Sequence, residues 1–528
     1  MYINTPEMHL KRLLSYLNKE PTSPSVGSFD RNFWAWKKRD FQDSTLAFSG
    51  VPLLKLLAKL NYPIGFKQEI ENFLLRNLLS IQKRNGSFDQ TYPNELHPKV
   101  GLDICDLLIL LNGDIAGSPA FNIYKKVILY SFSSEETYGT ISNHMAHHMF
   151  EYLRAAEILE DDQSRAKAHQ LLYNLNNQIS KEGWFVEYDG ADPGYQTRTL
   201  KYLVRSTSYL DGRDRSICLN LCDRSMEFLD KTILPDGTLF SAFGSRNTSL
   251  IYPSGIELMA KKDNEWDSLA NRVRKAVKNA KAPPTLSLDF DNYIRLLDDH
   301  IEADRIYDSK SAHINTEPKN PKRSKQFYLK DYGLLKRRLG EYDLYIHSRY
   351  GGAFILFKGD SCIEKNAGLY LALENGKKFA TFKSEANSSI NSKSTVIELN
   401  VEYALPINEN LTSMKLIFLR ILNFSILRIR FFANLFRKLL VNRFISSLKP
   451  NDGVQAVRFF SLHNNVLKIT DKIETKTPLE EAYLVPQINL RYMASSGYWE
   501  GNYHSIYEDL SHNIHRNILR NTKEFDLR

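Results

Sequence analysis

Cysteine is scarce in this chain of 528 residues, and its four cysteines cannot form the dense disulfide framework of a small secreted protein. Cys218 and Cys222 lie one helical turn apart and the other two are isolated, so there is no metal-binding spacing. The N-terminal residues include Glu7 and Glu20 and contain no continuous apolar core, so a secretory signal is not expected. We therefore expect a cytoplasmic protein.

Motifs of several large enzyme classes are also missing. The sequence has no P-loop, no GxGxxG after a strand, no GxSxG and no Cys/His zinc spacing. Hydrophobic residues at 42% and charged residues at 25% exclude a disordered chain, a collagen-like repeat and a multi-span membrane protein. At this length two or three domains are expected.

Positive charge and aromatic residues are in modest excess. The chain has 70 Lys and Arg against 61 Asp and Glu, a net charge of +9, which suits nucleic acid, anionic lipid or acidic polysaccharide as a partner. The basic residues are dispersed or lie in one apolar segment without a recognisable motif, so nucleic acid is not the expected partner. Aromatic residues, at 12%, can supply the flat apolar surfaces on which sugar rings bind.

The first half of the chain is predicted to be helical. Glycine turns of similar sequence contain Gly86, Gly183 and Gly237, which are 97 and 54 residues apart, close to a two-to-one ratio. This spacing favours repeated helical hairpins around a ring, an α/α toroid over residues 1–285, with an irregular helical domain as the alternative. Apolar residues at three- and four-residue spacing predict helices at Leu46–Leu60, Lys67–Gln82, Val100–Leu111, Asn143–Leu159, Asp162–Ile179, Gln196–Tyr209, Asp214–Leu229 and Asp263–Ala280.

The second half has the period of β-strands. Residues 286–330, with a polar stretch containing Pro318 and Pro321, are predicted to be a linker. Residues 331–528 are predicted to form an antiparallel β-sandwich packed on the toroid, so the fold class is α+β multidomain. Alternating runs predict strands at Gly340–Ser348, Gly352–Lys358, Gly368–Leu373, Ser394–Tyr403, Val454–Leu462, Asn465–Glu474 and Tyr483–Leu490.

One segment, residues 411–445, fits neither half. It contains seven Lys or Arg and no acid, and its uncharged runs are too short for the roughly 18–20 residues of a membrane span. A basic, strongly apolar helix is typical of an anchor that lies in a membrane interface. The alternative is a helical hairpin inserted in the sandwich and packed on the toroid.

Polar and aromatic side chains are concentrated in four short segments, residues 86–95, 143–152, 182–203 and 244–257. All four join or open predicted helices, and a toroid gathers such ends at the mouth of its central cavity. A cleft lined by Arg, Asn, His, Tyr and acids beside Trp suits an acidic sugar chain, and an Arg beside an Asn can clamp a carboxylate. The candidate substrate-binding residues are Asp89, Tyr92, Asn94, Glu95, His148, Trp184, Glu187, Tyr188, Asp192, Arg246, Asn247 and Tyr252.

Two of these segments also favour particular local structures. His144 and His148 are four residues apart on a predicted helix, but without a nearby carboxylate ligand they favour a polar cleft lining, and no metal or other cofactor is expected. Asp192 precedes Pro193 as a helix cap would. Tyr195 then lies at a helix start, where the helix dipole favours an anion.

The same strings resemble the heparinase II/III-like polysaccharide lyase family, in particular members found with bacterial surface-polysaccharide genes. The resemblance spans most of the chain and implies an α/α toroid followed by a β-sandwich. It is carried by FDRNFWAWKKRDF (29–41), GSFDQTYPNE (86–95), the His-rich helix, EGWFVEYDGADPGYQ (182–196), GSRNTSLIYPSGIE (244–257) and YIHSRYGGAFILF (345–357).

The resemblance implies β-elimination at a uronic acid, with Asn143 or His144 neutralising the carboxylate and Tyr195 as the acid–base. In the family the neutraliser precedes the tyrosine by a little over fifty residues, and here Asn143 precedes Tyr195 by 52. Lytic members carry a His-rich strand motif in the β domain, whereas this chain has only His347 as the candidate second base. Free tyrosine has a pKa of about 10, so nearby cations such as Arg198 or Arg246 would have to lower it.

Other functions remain open from the sequence. A C5-epimerase could use the same residues, and a glycoside hydrolase on the same scaffold could use Asp89 with Glu187 or Asp192. A non-catalytic glycan-binding or assembly protein is a third possibility. We expect an enzyme whose partner is an acidic polysaccharide or lipid-linked glycan. The 411–445 segment would hold it at the inner face of the plasma membrane.

Overall fold

The computed structural model describes residues 2–29, 48–89, 98–113, 117–134, 140–311, 326–391, 393–406, 413–441, 450–463, 465–488 and 508–527. The first half is helical, with a small two-stranded hairpin of β1 (Val186–Glu187) and β2 (Gly190–Ala191). Its helices are α1 (Pro6–Tyr16), α2 (Gly50–Lys59), α3 (Ile64–Ile81), α4 (Pro98–Asp103), α5 (Cys105–Leu108), α6 (Pro119–Phe132), α7 (Ser142–Ile158), α8 (Asp162–Gln178), α9 (Pro193–Ser206), α10 (Gly212–Thr232), α11 (Ser254–Lys262), α12 (Asp267–Lys278) and α13 (Phe290–Ser311).

The inner helices form a closed ring. Helices α2, α5, α4, α7, α9, α11 and α13 contact one another in that order, and α13 returns to α2. Helices α3, α6, α8, α10 and α12 pack outside them. Almost every residue of α9 is buried, whereas the outer helix α8 buries one narrow face. The predicted α/α toroid is confirmed.

The three glycine turns share one geometry, as the repeat predicted. Gly86, Gly183 and Gly237 have φ of +91°, +90° and +81°. In each turn the N–H three residues before the glycine donates to the carbonyl after it at 2.9 Å. A Cβ at these glycines would fall 2.3, 2.1 and 2.1 Å from a backbone carbonyl oxygen of the facing outer helix. Gly27, with φ +82°, lies equally close to a backbone carbonyl of α3, and the sequence analysis missed this fourth glycine.

The segment 286–330 differs from the predicted linker, because it contains the 22-residue helix α13. Tyr293, Ile294 and Leu297 of this helix are fully buried in the core of the first helices. Its acids pair with cations of the inner ring: Lys55 Nζ lies 2.7 Å from Asp298 Oδ1. Helix α13 therefore belongs to the toroid and closes it.

The second half contains two antiparallel sheets. The strands are β3 (Phe327–Leu329), β4 (Leu334–Leu339), β5 (Tyr342–His347), β6 (Phe354–Lys358), β7 (Ser361–Asn366), β8 (Gly368–Leu373), β9 (Lys378–Ala386), β10 (Val396–Ala404), β11 (Val454–His463), β12 (Val466–Thr475), β13 (Leu479–Val485), β14 (Glu508–Asp509), β15 (Ile514–His515) and β16 (Ile518–Asp526). One sheet has the order β3-β4-β5-β6-β7 and the other β14-β13-β8-β9-β10-β11-β12-β16-β15.

The two sheets pack face to face as the predicted β-sandwich. Leu344 and Phe354 of the smaller sheet share a core with Leu399 and Phe460 of the larger one. A second core joins the sandwich to the toroid, and in it helical-half residues such as Phe243 pack with residues of the smaller sheet. The site described below lies where these two halves meet.

Residues 413–441 form two helices, α14 (Ser413–Phe424) and α15 (Arg430–Val441), within the predicted insertion. Leu427 and Ala433 are the buried centre of a small core that contains hairpin residues alone among those described. No helix in the described ranges is long and apolar enough to span a bilayer.

Candidate active site

A hairpin and a capped helix start present Tyr195. Tyr188, with φ +66°, turns the chain between β1 and β2. Asp192 then caps α9, since its Oδ1 accepts from the N–H of Gly194 at 3.0 Å and of Tyr195 at 3.1 Å. Tyr195 therefore lies in the first turn of α9, where the helix dipole favours negative charge.

Asn143 and Glu187 join the His-rich helix to this hairpin. The backbone N–H of Asn143 donates to Glu187 Oε1 at 2.8 Å, and its Nδ2 lies 3.1 and 3.0 Å from the two carboxyl oxygens. Glu187 is 1% exposed. The amide of Asn143, predicted to neutralise a substrate carboxylate, is thus occupied by a carboxyl of the protein.

Arg246 brings the fourth segment to the same place. Its guanidinium carbon lies 3.8 Å from the centre of the Tyr188 ring and 5.3 Å from that of Tyr195. Its backbone N–H donates to Asp192 Oδ2 at 2.9 Å. Within the described part of the chain, Nε and Nη1 of Arg246 have no hydrogen-bond partner. Both nitrogens are buried, so a carboxylate that enters this site would meet two desolvated and unpaired donors of one guanidinium.

Tyr195 has a second cation and a second phenol nearby. Arg198 follows one turn later on α9, with its guanidinium 5.7 Å from the ring centre of Tyr252. Tyr252 is buried, its N–H donates to Thr197 Oγ1 at 2.9 Å, and burial raises the pKa of its phenol to about 12. Tyr195 itself is half-buried, so it is the more accessible of the two phenols.

Two carboxyls of the site hold protons unusually tightly. Burial raises the pKa of Glu187 to about 7, against the hydrogen bonds from Asn143 that lower it. Burial likewise raises the pKa of Asp192 to about 6, opposed by the N–H groups of Tyr195 and Arg246. Both groups therefore change charge close to neutral pH.

The histidines of α7 do not converge on one metal. His144 and His148 stack with ring centres 6.2 Å apart, whereas His147 stacks on Tyr202 at 4.3 Å. His147 Nδ1 also lies 3.6 Å from Asp103 Oδ1. Nowhere in the described ranges do three or more His, Cys, Asp or Glu side chains lie in a metal-binding group.

Asp103 is the centre of a buried ionic cluster that the sequence analysis missed. Lys99 Nζ lies 2.5 Å and Arg295 Nη1 3.2 Å from its Oδ2, and Arg198 Nη2 lies 3.7 Å from Oδ1. Burial alone would raise the pKa of Asp103, but these cations hold it well below its ordinary value. The cluster fixes Arg198 beside Tyr195. These members come from three helices that are distant in sequence, α4, α9 and α13, so no local motif marks the cluster.

His347 lies in the β-sandwich at the boundary with the toroid and is fully buried. Its ring packs against Tyr332, Tyr350 and Phe243, with ring centres 4.6, 4.4 and 5.5 Å away. Burial, with Arg349 nearby, lowers the pKa of His347 well below its ordinary value. Its Nε2 has no hydrogen-bond partner in the described ranges. His347 is therefore a packed, neutral imidazole and not an accessible base.

A cavity lies where the β-sandwich meets the hairpin. Asp189, Ser245 and Asn247 line it from the helical half, and Tyr350 and Lys383 from the sandwich. Lys383 Nζ lies 3.9 Å from Asp189 Oδ2, which links the two halves. Sequence reasoning missed both sandwich residues, although Tyr350 lies in the string that contains His347.

The remaining candidate residues lie away from this site or outside the residues that the structure describes. Asp89 pairs with Lys83 at 2.5 Å, on a glycine turn of the toroid. Trp184 packs against the core between toroid and sandwich, and its Nε1 donates to Glu182 at 3.3 Å. Neither contact joins the cluster of Asn143, Glu187, Tyr195 and Arg246. Tyr92, Asn94 and Glu95 lie outside the described residues.

Comparisons with known proteins give a structural likeness only. No protein-family model matches the sequence, and no curated protein matches it. The chondroitin AC lyase of Streptomyces coelicolor A3, solved with chondroitin sulphate, has a TM-score of 0.50 and 9% identity, covering 91% of this chain and 68% of that one. Heparinase III gives 0.47 and 9%, covering 99% and 83%. Xanthan lyase of Paenibacillus gives 0.45 and 10%, covering 91% of this chain and 46% of its own, so this chain spans less than half of that enzyme.

At 9% identity the likeness to chondroitin AC lyase concerns the fold alone. It extends over both the helical and the β half, because 91% of this chain is covered. The fold implied by the heparinase-like resemblance is therefore confirmed. The chain has the toroid-and-sandwich fold of a polysaccharide lyase.

Proposed function

We propose that this protein is a carbon–oxygen lyase. Its substrate is a bacterial surface polysaccharide that contains uronic acid, and it cleaves this polysaccharide by β-elimination. The observation that carries the proposal is the position of Arg246. Its guanidinium has two unpaired donors and lies beside Tyr195 at the start of α9. An acidic glycan as substrate is also supported by the fold likeness to an enzyme solved with chondroitin sulphate.

Arg246 would neutralise the uronate. A carboxylate beside C5 makes the C5 proton acidic only when its negative charge is compensated, and a guanidinium can do this with two parallel hydrogen bonds. The resemblance implied Asn143 or His144 for this task, but the amide of Asn143 is occupied by Glu187 and the ring of His144 stacks on His148. In the proposal, Asn143 and Glu187 form a rigid wall of the cleft, and protonated Glu187 keeps a second negative charge away from the substrate.

Tyr195 would move the proton. In the proposal its phenolate oxygen, in the first turn of α9 beside Arg246, removes the proton from C5. The electrons of the C5–H bond form the C4–C5 double bond as the C4–O bond breaks. The phenol then returns the proton to the leaving O4 oxygen, so Tyr195 is regenerated and no further reactant is needed. This assignment does not require His347, whose imidazole is enclosed.

Hydrolysis by a carboxyl pair is less well supported. Asp192 accepts three backbone N–H groups across its two oxygens, as a structural cap does. Both oxygens of Glu187 are engaged by Asn143. A C5-epimerase shares the first proton transfer and differs only in the return of the proton to C5.

The test is absorbance in the ultraviolet while the protein acts on a panel of uronate polysaccharides, including lipid-linked material. Elimination produces a C4–C5 unsaturated uronate, and its absorbance should rise together with new chain ends. New reducing ends without that absorbance would establish hydrolysis instead. Deuterium from solvent at C5 without cleavage would establish epimerisation. Binding without any of these products would leave a glycan-binding or assembly protein.

A further inference from the structure

The hairpin of α14 and α15 exposes the kind of residues that helices of a soluble domain bury. Among the described residues, 22 large hydrophobic side chains are exposed, and 11 of them lie in the 29 residues 413–441. They are Met414, Ile417, Phe418, Ile421, Phe424, Ile426, Ile429, Phe431, Phe432, Leu435 and Leu439. Exposed patches of this size mark an interaction surface.

These residues form a regular apolar stripe along α14. Met414, Ile417, Phe418 and Ile421 follow the i, i+3, i+4, i+7 spacing of one helix face, and they are 74%, 54%, 62% and 58% exposed. The opposite side of the hairpin is satisfied by its own small core around Leu427. The stripe is therefore not needed to hold the two helices together.

The charge of the segment identifies the partner. Residues 411–445 contain seven Lys or Arg and no acid. Arg428, Arg430 and Lys438, whose side chains are described, are all exposed. A second copy of this chain would bring two unbroken positive surfaces together, which costs free energy. The apolar stripe and the positive charge are both complemented by a surface whose negatively charged groups cover an apolar interior.

We propose that the hairpin 413–441 binds the surface of an anionic lipid bilayer, with its aromatic and aliphatic side chains among the acyl chains and its cations at the lipid headgroups. The two short helices lie in the interface, parallel to the bilayer. Peripheral attachment at a cytoplasmic membrane face would bring the toroid close to glycans carried on lipid. This inference does not depend on the reaction proposed above.

Vesicle flotation of the full chain tests the proposal. Wild type should float with phosphatidylcholine vesicles that contain phosphatidylglycerol, and more weakly with phosphatidylcholine alone or at high salt. The double variant Phe418→Glu, Phe431→Glu should bind at least about tenfold more weakly, because two apolar side chains no longer enter the membrane. Arg428→Gln with Arg430→Gln should lose about fivefold for each charge on the anionic vesicles.

A matched control carries the same substitution elsewhere. Ile64 on α3 and Leu129 on α6 are 76% and 55% exposed, so Ile64→Glu with Leu129→Glu should float like wild type. Since all four positions are exposed, thermal melting should show that every variant is folded. Equal flotation of wild type and the Phe418/Phe431 variant would overturn the proposal. So would a dimer, seen by analytical ultracentrifugation, that this variant dissociates while neither protein floats.

Discussion

Glu187→Gln tests whether the cleft contains a buried carboxyl that keeps its proton near neutral pH. Burial raises the pKa of Glu187 from 4.5 to about 7. The folded protein therefore binds this proton more tightly than the unfolded chain does. The stability due to the protonated carboxyl is complete below the unfolded pKa and is lost as the pH rises through about 7. At about 1.4 kcal/mol per pKa unit, the loss is about 3 kcal/mol at alkaline pH.

Glutamine removes that dependence while keeping a side-chain oxygen for Asn143. The melting temperatures of wild type and Glu187→Gln should be measured from pH 4 to pH 9, and their difference compared at each pH. The melting temperature of the variant should rise relative to that of wild type by about 3 °C as the pH rises, because about 3 kcal/mol divided by an unfolding entropy of about 1.1 kcal/mol/K for 528 residues gives that shift. Asp189→Asn is the matched control, since it removes a neighbouring but exposed carboxylate of the same hairpin.

A difference between wild type and Glu187→Gln that stays constant over this pH range would refute the reasoning. A difference that changes in the opposite direction would also refute it, since it would mean that Glu187 is stabilised as a carboxylate by its hydrogen bonds with Asn143.

Three further variants test the site and the fold. Arg246→Lys, which keeps the charge but loses the paired donors, should lower kcat by about 10²–10³-fold in steady-state assays on a cleaved polysaccharide, and a smaller loss would remove Arg246 as the neutralising group. Gly183→Ala should lower the free energy of unfolding, measured with urea, by at least about 2 kcal/mol more than Gly117→Ala does. Both glycines have positive φ (+90° and +85°), but only Gly183 faces a backbone carbonyl. Asp471→Ala should destabilise the sandwich by about 3–5 kcal/mol, because it strands the buried Arg458 bonded to it at 2.6 Å, and a loss below about 1 kcal/mol would show that the charge is solvated.

Periodicity predicted most of the regular structure because the pattern was local. Asp162–Ile179 and Asn143–Leu159 agree with α8 and α7 to within one residue at each end. Strand Gly368–Leu373 agrees with β8 at both ends. The glycine repeat predicted the toroid because each turn must place a residue with positive φ against an outer helix.

The misses have physical causes. Helix α13 was taken for part of a linker because the prediction followed the polar stretch that contains Pro318 and Pro321, whereas acids of the helix such as Asp298 pair with cations on other helices. Strands β14 to β16 are short or lie late in the chain, where no alternating run marked them. The contacts Lys383–Asp189 and Arg198–Asp103 join residues distant in sequence, so no spacing could predict them.

The sequence predicted which residues meet at the site better than it predicted what each of them does there. Three of the four segments meet, through Asn143 with Glu187 and Arg246 with Tyr188 and Tyr195. Sequence spacing could not tell that the Asn143 amide is occupied. Nor could it show that His347 is enclosed by aromatic rings. The acid–base role of Tyr195 stays a prediction.

The most direct test compares Tyr195→Phe with Tyr173→Phe, a matched loss of a phenol from the outer helix α8, where Tyr173 is exposed. The rate of absorbance increase from unsaturated uronate should be measured on a polysaccharide that wild type cleaves. Tyr195→Phe should lower kcat/KM by at least about 10²-fold with substrate binding retained, and Tyr173→Phe should match wild type. Unsaturated product formed by Tyr195→Phe at the wild-type rate would contradict the assignment of Tyr195 as the group that moves the proton.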